Sequence, residues 1–326
     1  MPDDYISQFS GEEIDSAVRA AQIISGASTP AELRKKLEIR GDTIPVSASD
    51  STLISEALTK IPTTSSGGGG VNPNLLDNWY FGRPVNQRGQ TEYTAGGAYT
   101  LDRWCVQYDT TLSIVDGGIK IGGKWDVQQY FETTLPNATY TLSLLYKDKT
   151  GSDPLRLIAG NRTDGDLAQT ESKDASGILS VTFSTAKSNK VNFGFTGSTD
   201  NSATIIAIKL ELGDTQTLAH KENEKWVLNE IPDFGEQLAR CQRYCVAFKQ
   251  YDTFSPDGET DFIVELPCPM RTSPTIINPE NITNVTNPTM AWYNVGSNQL
   301  RIRSTTTLSN NARAVCSGLV LFSADL

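Results

Sequence analysis

TYTLSLLYK, residues 139–147, decides the fold. Tyr140, Leu142, Leu144 and Tyr146 fall on one side of an extended chain, and Thr141 and Ser143 fall on the other. That period of two is the signature of a strand with one buried face. Four more stretches of the same kind follow between turn signals: LRLIAG (155–160), GILSVTFST (177–185), KVNFGFTG (190–197) and ATIIAIKLEL (203–212). Short strands at such spacing predict an antiparallel β-sandwich, here over residues 74–213.

Working outward, the N-terminal side changes character. PTTSSGGGGVNP, residues 62–73, is a linker by composition. Residues 1–61 read as short helices. Ser10 and Glu13 form a capping box ahead of Ile14, Ala17, Val18 and Ala21, and Thr29-Pro30-Ala31-Glu32 is a second helix start. A third helix is expected over Ser51–Ile61. Helices this short do not stand alone in water, so self-association is expected for this attachment region. On the C-terminal side, residues 214–244 read as a polar connector ending in a short helix near Gly235–Tyr244. A second β domain follows over residues 245–326. The expected class is thus mainly β: N-terminal helices, a jelly-roll-like sandwich, a connecting helix and a C-terminal β-sandwich domain.

Composition excludes several functions. The chain has 326 residues, a net charge of −10 and 38% hydrophobic residues. An acidic balance argues against nucleic acid as partner, since phosphates demand clustered Lys and Arg. No apolar run approaches the ~20 residues that span a bilayer, so membrane insertion is not expected. The N-terminus lacks a basic start and an apolar core, which points to synthesis in the cytoplasm without a usual export signal. Five cysteines are few and odd in number for a disulfide framework. Cys241 and Cys245, in CQRYC, are set four apart, as helical neighbours are. With His220 the single histidine, a zinc site lacks ligands, and burial as small hydrophobes is the better reading.

Catalysis finds little support. There is no Gly-x-Ser-x-Gly elbow, GGGG has no following Lys, and a Ser-His-Asp triad would rest on His220 alone. Asp252, Asp257, Glu259 and Asp261 cluster in YDTFSPDGETD, where a carboxylate pair could hydrolyse a glycoside, but solvated loop acids explain them as well. Calcium is conceivable there or near Asp109 and Asp116, without the ligand ladder of a dedicated loop. No enzyme activity, cofactor or metal is expected.

Aromatic side chains are the remaining signal. Residues 79–108 carry Trp79, Tyr80, Phe81, Tyr93, Tyr99, Trp104 and Tyr108. Trp104, at a strand entry, is expected in the core. Tyr93, Trp125 and Tyr130 lie beside polar or Gly-rich turns and are the candidates for an exposed platform, on which sugar rings stack. In the hairpin at 289–304, a three-residue GSN loop would pair Val295 with Gln299. Met290, Trp292 and Asn294 then share a core face with Leu300 and Ile302. Tyr293, Arg301 and Arg303 share the other face, where an aromatic beside two guanidiniums suits an anionic or sugar ligand. An ordinary solvated face is the competing reading.

Several stretches together resemble tail and fibre proteins of bacteriophages and prophages. NLLDNWYFGRPVNQRGQTEYTAGGAYTLDRW (74–104) resembles the start of their β-sandwich module, and IIAIKLELGDTQTLA (205–219) its closing strand. Ala239–Tyr244 resembles an A-x-C-Q-R-Y segment, LPCPMRTSPTI (266–276) a C-terminal-domain signature, FSADL its last strand, and FSGEEIDSAV (9–18) an N-terminal helical motif. Cys245 is not part of that pattern. The resemblance implies a homotrimer on the virion, joined to tail or baseplate proteins. It implies receptor binding through a carbohydrate-binding-like jelly roll, with a wall polysaccharide, teichoic acid or capsule sugar as ligand. Three weak sites would act together, and Tyr244 with the two cysteines would anchor the connecting helix while Arg243 pairs locally. A baseplate component without receptor binding and a polysaccharide-degrading tail spike are the alternatives.

Overall fold

The computed structural model describes residues 45–47, 50–53 and 72–325, apart from 95, 164, 186, 250, 251, 258, 259 and 308–312. Of the N-terminal unit it describes one antiparallel pair, β1 (Pro45–Ser47) and β2 (Asp50–Leu53). Residues 51–53 are therefore strand, where a helix start was expected. The other expected helical segments lie outside the described residues, as does most of the linker.

The second unit runs from Gly70 to Leu326. Its sandwich contains β3 (Glu92–Tyr93), β4 (Cys105–Val106), β5 (Thr111–Val115), β6 (Gly118–Gly122), β7 (Trp125–Tyr130), β8 (Ala138–Thr150), β9 (Leu155–Asn161), β10 (Gly165–Ser172), β11 (Gly177–Thr185), β12 (Lys190–Phe195) and β13 (Ser202–Leu212). They form a five-stranded sheet, β10-β9-β12-β7-β4, and a six-stranded sheet, β11-β8-β13-β6-β5-β3, with all pairs antiparallel. From β6 to β9 and again from β10 to β13 each strand crosses to the opposite sheet, the order of a jelly-roll-like sandwich. Tyr140, Leu142, Leu144 and Tyr146 point into the core as their alternation requires. Trp104 is fully buried between Phe81 and Phe193, at 5.4 and 5.5 Å, and its Nε1 donates to the Asn78 carbonyl at 2.9 Å.

Part of the outer face of the six-stranded sheet, around β8 and β13, is closed to water. Thr141 and Ser143 are buried, and beside them so are Lys209 and Glu211. The cover is the connector, which is less irregular than its composition suggests. It holds a hairpin, β14 (Ala219–Glu222) with β15 (Lys225–Leu228), and sends Leu218, Trp226 and Leu228 against the sandwich. Lys209 Nζ lies 2.9 Å from Glu230, 3.6 Å from Glu211 and 3.0 Å from the Thr217 hydroxyl, so a buried cation paired with Glu211 of its own strand holds the cover through Glu230 and Thr217. The Thr217 N–H also donates to Glu211, at 2.7 Å.

Helix α1 (Phe234–Gln242) follows, its first turn capped by the Asp233 carboxylate accepting from the Glu236 N–H. The helix ends before Cys245, so the two cysteines do not share a helical turn. Both are buried free thiols, and burial pushes their pKa values up, which leaves them inert. Arg243 does not pair locally: it reaches Glu132 of the sandwich at 3.2 Å, beside the Tyr244 hydroxyl donating to the same carboxylate at 2.6 Å.

The C-terminal region has a three-stranded sheet of β16 (Cys245–Phe248), β24 (Val320–Ser323) and β19 (Thr275–Ile277). A six-stranded sheet packs with it, in the order β20 (Ile282–Thr283), β23 (Ala314–Cys316), β17 (Thr253–Asp257), β18 (Asp261–Glu265), β22 (Gln299–Arg303), β21 (Thr289–Tyr293). Phe254, Phe262, Ile302 and Phe322 centre its core. A polar seam joins it to the sandwich. The Gln87 amide donates to the Cys245 carbonyl and accepts from the Ala247 N–H, and Arg88 pairs with Asp325 at 2.5 Å next to the buried Asp102.

Candidate functional site

The six residues singled out from the sequence do not converge. Tyr93 is buried, with its hydroxyl donating to Asn86 at 2.6 Å and burial pushing its pKa up to about 12, so it is core rather than platform. Tyr293 also turns inward. Tyr293 pairs with Leu300 and Trp292 with Arg301, and a bulge between Met290 and Trp292 returns Met290 to Ile302. The loop and the bulge shift the expected register, and one residue of slip exchanges the faces. The Tyr293 hydroxyl accepts from the Met270 N–H at 2.6 Å and faces the Met270 carbonyl at 2.9 Å. The side chain of Trp292 lies outside the described residues.

Arg301 and Arg303 are half-exposed but engaged. Arg301 pairs with Asp257 at 2.7 Å, and Arg303 grips Asp261 with two nitrogens at 2.7 and 3.0 Å. The acidic cluster is thereby explained as the partner of those arginines. Asp257 closes strand β17 and Asp261 opens β18, while Asp252 caps the Lys249 N–H at 2.7 Å. Glu259 lies outside the described residues. Among the described residues, no group of three or more His, Cys, Asp or Glu is placed to hold a metal ion.

Trp125 and Tyr130 stand at the two ends of β7. Tyr130 is half-buried on the outer face of the five-stranded sheet, with the Arg162 guanidinium 4.2 Å from its ring and its hydroxyl donating to Gln128. On the same face Asn192 donates to Asp126 at 2.6 Å, and burial raises the Asp126 pKa.

Trp125 is 41% exposed and meets the ring of Tyr108, itself 67% exposed, at 5.8 Å. Strict alternation would send Trp125 inward with Val127. Its φ of 84° breaks the pattern, and Tyr108 is also left-handed, with φ 36°. A bulky residue in that region is an outlier that costs about 1–3 kcal/mol and persists only when its surroundings enforce it. Here they do. The Gln107 N–H donates to the Asp126 carbonyl at 2.9 Å, and the Thr110 hydroxyl to the Lys124 carbonyl at 3.0 Å. The two turns approach so closely that a Cβ on Gly123 would lie 2.1 Å from the Asp109 carbonyl oxygen, and one on Gly96 2.5 Å from Tyr108 Cα.

Asp109 follows Tyr108, and Gly122 and Gly123 precede Lys124 and Trp125. Asp109, Gly122 and Gly123 line a shallow groove of about 510 Å³ together with Ser113, Lys120 and Asp200. Among the described residues the side chains of Asp109, Lys120 and Asp200 take no hydrogen bond or ion pair. The arrangement is an aromatic surface beside unspent carboxylates, a hydroxyl and an ammonium. It suits a ligand with apolar C–H faces and many hydroxyl groups. Tyr108 was passed over in the sequence as one of seven clustered aromatics; its signal is the polar turn QYDT set against GGKW.

No family model matches this chain, and no curated protein does. Among solved structures, the second N-terminal cellulose-binding domain of β-1,4-glucanase C from Cellulomonas fimi is similar at 13% identity, covering 46% of this chain and 100% of that one, with a TM-score of 0.31. The N-terminal CBM22-1–CBM22-2 tandem of Xyn10C from Paenibacillus barcinonensis is 10% identical over 80% of this chain and 100% of that one, with a TM-score of 0.27. The enzymatically active domain of tailspike protein 4 of bacteriophage CBA120 is 9% identical over 37% of this chain and 17% of that one, with a TM-score of 0.23. The sandwich stands on its own strand pairings; at these scores the likenesses add nothing to it.

Proposed function

We propose that this chain is a bacteriophage tail fibre or receptor-binding protein that holds the virion to surface glycans of the host without catalysis. The observation that carries the reading is the exposed Tyr108–Trp125 pair, kept in a strained backbone beside a groove of unspent polar groups. A fold retains such strain where exposure of the rings serves something other than stability. The phage part is supported by the order of the stretches that resemble tail fibres, from FSGEEIDSAV to FSADL. The expected ligand is a wall polysaccharide, teichoic acid or capsule sugar, and three copies would multiply weak contacts.

The test is adsorption of the purified chain to bacterial cells and to their isolated surface polysaccharides, with Trp125→Ala and Tyr108→Ala alongside. Each substitution is expected to weaken binding about 10- to 100-fold while leaving the melting temperature nearly unchanged, as loss of a stacking surface predicts. Binding that is absent in the parent chain would favour a baseplate component. Release of reducing sugar, abolished in Asp126→Asn, would favour a degrading spike. A native mass below three chains would remove the homotrimer.

A further inference from the structure

A second cleft, of about 530 Å³, opens between the sandwich and helix α1, away from the aromatic pair. Its floor is apolar, with Leu75, Phe131, Leu135 and Leu212 among the lining, and Leu75 and Leu212 remain exposed. Its charged rim is three guanidiniums, Arg103, Arg240 and Arg243, against two carboxylates, Asp77 and Glu132.

Both carboxylates are already shared. Asp77 accepts from Arg103 Nε at 3.0 Å and pairs with Arg240 Nε at 2.8 Å. Glu132 takes Arg243 at 3.2 Å and the Tyr244 hydroxyl at 2.6 Å. Arg103 is buried flat against the Tyr244 ring at 3.6 Å, and its Nη1 has no hydrogen-bond partner. Arg240 and Arg243 are each partly exposed. The two terminal nitrogens of Arg240 and one of Arg243 meet no acceptor among the described residues. The rim therefore keeps one net positive charge and a set of unfilled planar donors, in a chain whose net charge is −10.

We infer that this cleft is a second binding site, for an anionic polyol whose carboxylate or phosphate is taken by Arg240 and Arg243 while its carbon skeleton lies on the apolar floor. Guanidinium groups match planar oxyanions with paired N–H donors, which a hydrated lysine does not. The volume falls within the usual range of ligand clefts, roughly 300–1,000 Å³. Nothing in the Tyr108–Trp125 site carries a comparable cationic fork, so the two sites would take different parts of a charged surface polymer, or different polymers.

Two probes separate the sources of the anion: an oligogalacturonate for carboxylates and a glycerol phosphate oligomer for phosphates, with a neutral cello-oligosaccharide as control. Calorimetric titration of the full chain is expected to show saturable binding of at least one anionic probe. Binding should be weakened at least tenfold in Arg240→Gln with Arg243→Gln, and unchanged in Arg301→Gln, a guanidinium removed elsewhere. Because Arg240 and Arg243 also dock the helix, a second measurement uses the parent chain. Phenylglyoxal labelling read by mass spectrometry should show both arginines protected by the bound probe. Saturable binding of neither anion overturns the inference. So does binding that survives the double substitution, labelling that the probe does not slow, or a self-association that the double substitution abolishes.

Discussion

The outer face of the six-stranded sheet and the Tyr108–Trp125 end of the same sandwich read alike in sequence. Each carries side chains whose exposure alternation alone misjudges: it sends Thr141 and Ser143 to water and Trp125 to the core, and the structure does the opposite. Under the connector the charges of the sheet face find internal partners: Lys209 is buried with Glu211, Glu230 and Thr217. At the other end nothing covers the rings, and Asp109, Lys120 and Asp200 keep their hydrogen-bonding capacity. What separates structure from recognition is thus unspent capacity rather than residue type. The 289–303 hairpin belongs with the covered face, because Tyr293, Arg301 and Arg303 all have partners.

The contrast can be broken most sharply at Lys209. Lys209→Met strands buried Glu211 and is expected to cost about 3–5 kcal/mol in chemical denaturation, as removal of one member of a buried ion pair does. A loss under 1 kcal/mol would mean the cover is not held by that cation. Tyr293→Phe strands the Met270 N–H and should cost about 1–2 kcal/mol with glycan binding intact. Loss of binding without loss of stability would return Tyr293 to the list of ligand contacts.

The Arg303 pair holds the Asp261 pKa below its ordinary value of 3.8, mainly by hydrogen bonding. A carboxylate depressed in the folded state stabilises above its unfolded pKa, and that stability disappears as pH falls through the folded value. The melting-temperature gap between the parent chain and Arg303→Gln should therefore be present at pH 6 and close below about pH 4. A gap independent of pH would show that Arg303 acts by packing alone. The smallest effect is expected at Trp125→Gly, where relief of the left-handed backbone should raise stability by less than about 1 kcal/mol.

The sequence reading succeeded where one physical rule acts locally. Tyr140, Leu142, Leu144 and Tyr146 mark their strand because alternation within nine residues suffices. It failed where a distant segment decides. Thr141 and Ser143 lie on the face alternation assigns them, yet the chain leading into the connector, some 70 residues away, covers them, as where the Thr141 hydroxyl donates to the Gly213 carbonyl. Tyr293 was misplaced because the loop of its hairpin closes one residue off the expected register, which pairs Tyr293 with Leu300. Tyr93 and Tyr108 sit in equally polar surroundings in the sequence, and only the packing of neighbouring loops hides one and exposes the other.

The seam between the two β regions has a consequence for how the molecule comes apart. The Gln87 side chain completes hydrogen bonds of both Cys245 and Ala247, and Asp325 neutralises an arginine with almost no access to water. Separating the regions would exchange those contacts for water before either core had opened. Sandwich and C-terminal domain are therefore expected to melt in a single calorimetric transition, with no protease-resistant half left behind.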